Sequence, residues 1–125
     1  MIAVLRICCA LVLLCVAAHA ETSRFEFRDG DRVVFLGGGF FERDLRYGYI
    51  ETFLTTRFHD KNLTFRNLAW SGDTVFGDAR AGFDSAKEGY ERLKTRIVEA
   101  KPTVIFLQTG QNESFDGESM LPQYL

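Results

Sequence analysis

Three short apolar runs, separated by two stretches of helical periodicity, constrain the fold of this chain more than any other feature. Val33–Leu36 (VVFL) is continuously apolar, Thr64–Leu68 (TFRNL) carries Phe65 and Leu68, and Thr103–Leu107 (TVIFL) is rich in β-branched residues. Short runs of this kind, alternating with helical stretches, read as strands of a parallel sheet. Between the first two, Tyr47, Ile50, Phe53, Leu54 and Phe58 recur at helical spacing, and before the third, Tyr90, Leu93, Ile97 and Val98 do the same. Both patterns predict amphipathic helices, Tyr47–Phe58 and a second around Tyr90–Val98, each with one face for a sheet. Ser85 with Glu88 three residues on is a capping-box pattern, and Lys101-Pro102 marks the end of that second helix.

The order is therefore β-α-β-α-β, ending at the opening of a third helix near Met120–Leu125. Right-handed crossovers turn this order into an α/β fold: a three-layer α/β/α, flavodoxin-like, doubly wound parallel sheet, truncated after its third strand, with strand one between strands two and three. Ligands of such sheets sit beyond the carboxyl ends of the strands, at the switch point between strands one and three. The apolar third strand is expected to form an unpaired edge, which proteins normally cover.

The first twenty residues read differently. One positive charge, Arg6, precedes the apolar stretch Ile7–Ala18, and Ala18-His19-Ala20 fits a small-x-small cleavage site. Residues 1–20 are thus expected to be a signal peptide and residues 21–125 the domain, secreted or periplasmic, with no stable membrane insertion after cleavage, because the apolar stretch is short for a span. Cys8, Cys9 and Cys15 all lie in that segment, so the mature domain has no thiol for a disulfide, a metal or a nucleophile. Without Arg6 the chain carries 14 basic against 17 acidic side chains, interspersed, which argues against a nucleic-acid partner. About 105 residues suffice for one small domain.

Three glycine-containing blocks follow the three strand ends: Phe35–Glu42 (FLGGGFFE), Asn67–Thr74 (NLAWSGDT) and Gly110–Glu113 (GQNE). Their order and spacing resemble the first three active-site blocks of the SGNH (GDSL-type) hydrolases, whose first block reads roughly L-G-D-S-I-T-E. Laid on Leu36–Glu42, that block matches Leu36, Gly37 and Glu42, but it puts Gly38 on the aspartate and Gly39 on the nucleophilic serine. The resemblance implies carboxylic-ester chemistry and an oxyanion hole made by the N–H of Gly39, the N–H of Gly72 and the side-chain amide of Asn112. Glu113 stands where the family often has Asp. The family's D-x-x-H is absent, and the only histidine after the leader, His59, is expected on the opposite rim of the sheet. Ser71 and Thr74 lie near the site without a candidate base, and unactivated hydroxyls are poor nucleophiles. The expectation is an exported hydrolase-like domain, inert toward esters as written. It is either a binding domain for a small-molecule or carbohydrate ester or a piece of a longer protein with further domains.

Trp70 borders Gly72 and either stacks on a sugar ring or packs in the core. Glu42, with Arg43 and Asp44, either bonds a sugar hydroxyl or belongs to a charged, solvated loop, and Phe40 and Phe41 are expected to fill the crevice. No His, Asp or Glu cluster has metal-ligand spacing, and no cofactor is expected. The rival reading is a dinucleotide-binding module, because Gly37-x-Gly39 follows a strand. Against it, Glu42 takes the third glycine position, the predicted helix starts only near Tyr47, and Asn67 and Leu68 stand where an acidic residue would end strand two.

Overall fold

In the computed structural model, which describes residues 24–82 and 84–125, the three apolar runs are strands. They are β1 (Arg32–Gly37), β2 (Thr64–Asn67) and β3 (Val104–Gln108), all parallel, in the order β2-β1-β3. The expected leader, residues 1–20, and its three cysteines lie outside the described residues. The central strand is the most buried element: Val33, Val34 and Phe35 are each 1% exposed. Its register puts Phe35 beside Asn67 on one side and Phe106 on the other.

Alternation along β1 sends Val33 and Phe35 to one face. There they meet Phe27, Phe41 and Ala69, with Ile50, Leu54, Phe58, Phe65 and Phe106 packed around them. The Phe35 ring lies nearly parallel to that of Phe65, at 6.0 Å and 8°, and Phe27 meets Phe58 edge-on at 4.9 Å. Phe27 belongs to an extended segment ahead of β1 for which no strand or helix pattern spoke. On the opposite face Val34 and Leu36 are covered by the helix leading into β3, so helices occupy both sides of the sheet.

The connection from β1 to β2 corrects the predicted single helix. It contains two, α1 (Gly39–Tyr47) and α2 (Tyr49–Arg57), and the first begins immediately after the strand. Gly48 breaks them by adopting φ 65°, a conformation open to glycine without strain, and its N–H bonds to the Asp44 carbonyl at 2.6 Å. The Asp44 side chain then accepts the N–H of Ile50 at 3.1 Å. Glu42, Arg43 and Asp44 are accordingly helical and not a solvated loop, and Asp44 is buried. Tyr47 and Phe53, counted on the sheet-facing stripe, are exposed, whereas Ile50, Leu54 and Phe58 do pack on the core.

The second crossover helix, α3 (Ala86–Ala100), carries the expected capping box. The Ser85 hydroxyl accepts the N–H of Glu88 at 3.3 Å, and the Glu88 carboxylate accepts the N–H of Ser85 at 3.0 Å. Leu93 and Ile97 are half-buried, but Tyr90 and Val98 are exposed. A short helix, α4 (Leu121–Tyr124), ends the chain described, where a helix opening was expected. No helix among the described residues is long and apolar enough to cross a membrane.

At the amino edge of the sheet, Thr103 joins β1 to β3. Its hydroxyl donates to Asp31 at 2.7 Å and accepts the N–H of Arg32 at 2.9 Å. The N–H of Arg28 bonds the other Asp31 oxygen at 2.7 Å, and that bond, followed by the one from Thr103, holds the Asp31 carboxyl below the usual carboxylate range. Among the described residues no strand pairs with the outer edge of β3, and Leu107 there is 68% exposed.

Candidate functional site

The three glycine blocks meet at the carboxyl ends of β1 and β3, and Gly37 is the reason they can. Its φ of 133° is a glycine conformation, and a Cβ there would overlap the Gln108 backbone. The exits of β1 and β3 therefore run against each other, and the N–H of Gly38 reaches the Gln108 carbonyl at 3.4 Å. A side chain at Gly38 would begin 3.3 Å from the Asp73 carbonyl and 3.4 Å from the Asn112 amide nitrogen. The position aligned with the family's aspartate is thus filled by the second and third blocks. Gly39 differs: no atom lies within 4 Å of where its Cβ would stand.

Gly39 is also the first residue of α1. The first N–H groups of a helix have no partner within it and lie at the positive end of its dipole, so they are donors awaiting an acceptor. Opposite stands Asn112, whose amide donates to the Asp73 carbonyl at 2.9 Å. That bond uses one amide hydrogen and leaves the other.

Two buried carboxylates hold these loops. Glu113 accepts the N–H of Val75 at 2.8 Å and that of Gly110 at 2.9 Å, tying the second block to the third. Asp73 accepts Arg80 Nε at 2.6 Å, and Arg80 in turn donates to the Leu68 carbonyl at 2.9 Å. Breaking one partner of such a buried pair typically costs about 3–5 kcal/mol.

The result is an open groove of about 700 Å³ whose lining includes Gly39, Gly72, Asn112, Ser71 and Gln111. All three expected oxyanion-hole residues share it. Arg43 and Asp44 also reach it, but Glu42 does not line it and sits half-buried in the first turn of α1. Phe40 stands at the rim, whereas Phe41, also expected in the crevice, packs in the core with its ring 5.0 Å from that of Phe35. Trp70 is neither in the groove nor in the core: it is 51% exposed and borders a separate cavity.

The rim carries aromatic surface beyond the expected Phe40. Tyr47 and Tyr49 stack at 5.5 Å and 12°, and both they and Phe115 are exposed on the groove. The sequence carries no clear signal for this, since the helical spacing from Tyr47 to Phe58 puts Tyr47 on the buried stripe.

The groove can offer N–H donors to a carbonyl oxygen and flat apolar surface to its substituents. Among the described residues it is lined by no imidazole: His59 is exposed in the turn leading from α2 into β2, at the amino edge of the sheet. Ser71 lines the groove, but Thr74 does not. Among the described residues no group of three or more His, Cys, Asp or Glu side chains is placed to hold a metal ion. For the dinucleotide alternative, the early start of α1 removes one objection. Glu42 still occupies the third glycine position, and the Asn67 amide is engaged by the Phe41 carbonyl at 2.7 Å and the Ala69 N–H at 3.0 Å. No protein-family model, curated protein or solved structure matches this chain.

Proposed function

We propose that this chain is an SGNH-hydrolase-like domain, exported by its first twenty residues, that binds a carboxylic ester without cleaving it. The ester is one carried by a small molecule or a carbohydrate. The observation that carries the reading is the meeting of Gly39, Gly72 and Asn112 in one groove, with open space and no side chain where the nucleophile would stand. The α1 N-terminus and the Asn112 amide receive the carbonyl oxygen, and the aromatic rim covers the remainder of the ligand. Donors alone leave only about 10³–10⁴-fold acceleration over water, so an ester bound here persists.

The test is titration of the ¹⁵N-labelled protein with triacetin, a soluble ester, followed by hydrolysis assays with p-nitrophenyl acetate. Saturable shifts of the Gly39 N–H and Asn112 side-chain signals are expected, with p-nitrophenol release no faster than with heat-denatured protein. Gly39→Ser is expected not to restore hydrolysis, because among the described residues no histidine base lines the groove. Unmoved Gly39 and Asn112 signals would overturn the binding reading. Saturable turnover lost in Asn112→Ala would show an enzyme instead, with Ser71 the first nucleophile to examine.

A further inference from the structure

Trp70 follows β2 closely in sequence yet lies outside the ester groove. It borders a second cavity, of about 340 Å³, together with Leu45, Leu93 and three arginines, Arg80, Arg92 and Arg96. The cavity lies between the chain leaving β2, the end of α1 and one stripe of α3. Gly89, Arg92, Leu93 and Arg96 follow one another at helical spacing and face it together.

Two of the guanidinium groups are fixed by partners. Arg80 is held by Asp73 at 2.6 Å and the Leu68 carbonyl at 2.9 Å, and Arg92 by Asp84 at 2.6 Å and the Arg80 carbonyl at 3.0 Å. Arg96 stands one turn beyond Arg92 and makes no ion pair among the described residues. Of the three, Arg96 alone has no carboxylate within ion-pair distance among the described residues. Like charges four residues apart on a helix repel, and an anion between them relieves that repulsion. The half-exposed indole supplies a flat apolar wall beside the charge.

We propose that this cavity binds a six-membered ring bearing one carboxylate, the ring against Trp70 and the carboxylate held by Arg96 and Arg92. One guanidinium without an ion-pair partner suits a monoanion, and guanidinium forks match the two carboxylate oxygens. A cavity of roughly 150 Å³ accepts benzene, so the volume here suffices for a ring and its substituents. Two sources share this chemistry, aromatic acids and uronic acids. The site lies apart from the ester groove and is joined to it through Asp73, which holds Arg80 with its carboxylate and accepts Asn112 at its carbonyl.

The test uses the only tryptophan of the sequence as reporter, since Trp70 borders the cavity. Its fluorescence is titrated with benzoate and with glucuronate, and with the neutral benzyl alcohol and glucose as controls. A saturable change with one of the acids, and none with its neutral counterpart, is expected; which acid saturates identifies the source. Arg96→Gln, on an exposed helix position, weakens that binding about tenfold or more, the loss of one charge-assisted contact. Phe115→Ala, an exposed change on the groove rim, leaves it unchanged, which separates this site from the groove. No saturation with either acid by the folded protein overturns the proposal. So does an equal response to the neutral ring, or unaltered binding in Arg96→Gln.

Discussion

Replacing Gly89 by alanine sets local preference against tertiary contact, and the structure decides the sign. Gly89 lies within α3, where alanine is intrinsically preferred to glycine by about 1 kcal/mol. From helix propensity alone, Gly89→Ala stabilises the domain. In the folded protein, however, Gly89 is buried against the loop that precedes the helix. A Cβ there would stand 2.6 Å from the Arg80 carbonyl carbon and 3.0 Å from the Arg80 Cβ, with the carbonyl oxygen closer still. The obstacle is backbone, fixed by the Arg80 N–H bond to Gly77 at 3.0 Å and by Arg92 donating to the Arg80 carbonyl at 3.0 Å. Overpacking costs about 1–3 kcal/mol and falls in the upper half where backbone must move. The net expectation is destabilisation by about 1–2 kcal/mol. At a urea m-value of roughly 1–3 kcal/mol/M, the unfolding midpoint falls by about 0.3–2 M. Lys87→Ala, an exposed change in the same helix, serves as control and stays within about 0.5 kcal/mol. A Gly89→Ala midpoint at or above wild type, with m unchanged, would refute the reasoning.

Ser85→Ala removes the hydroxyl half of the capping box and is expected to cost about 1 kcal/mol in urea unfolding. Because the Asp31 pKa is depressed in the folded state, its contribution is complete above the unfolded-state value and is lost as pH falls through the folded one. Stability measured on acidification should decline in that window, and Asp31→Asn should flatten the decline. Glu113→Ala leaves the N–H groups of Val75 and Gly110 without their acceptor, at a cost of about 2–5 kcal/mol. It should also shift the Asn112 side-chain signals, and unmoved signals would show that the carboxylate does not position the groove. Leu107→Lys places a charge beside the open edge of β3 and is expected to reduce concentration-dependent association in sedimentation velocity.

The sequence by itself determined the features that depend on neighbours along the chain. Apolar runs of strand length separated by helical spacing specify the strands, and the handedness of crossovers then orders them, placing Val33–Gly37 in the centre. The Ser85–Glu88 cap is a contact three residues long and was legible for the same reason. So was the meeting of Gly39, Gly72 and Asn112, since each follows the carboxyl end of a strand in one parallel sheet. Tertiary structure alone decided what depends on surfaces brought together from a distance. α1 starts at Gly39 because Phe41 is buried against Phe35 and Ala69, contacts made across the fold that a run of three glycines, poor helix formers, does not announce. Gly89 resembles a weak point in a helix until Arg80 is seen against it. Trp70 and Gly72 are two residues apart, yet they open on different cavities: the turn between them, with Gly72 at φ 76°, redirects the chain. Sequence proximity places residues at the same strand end, but which way each one faces is set by the packing of α1 and α3 around it.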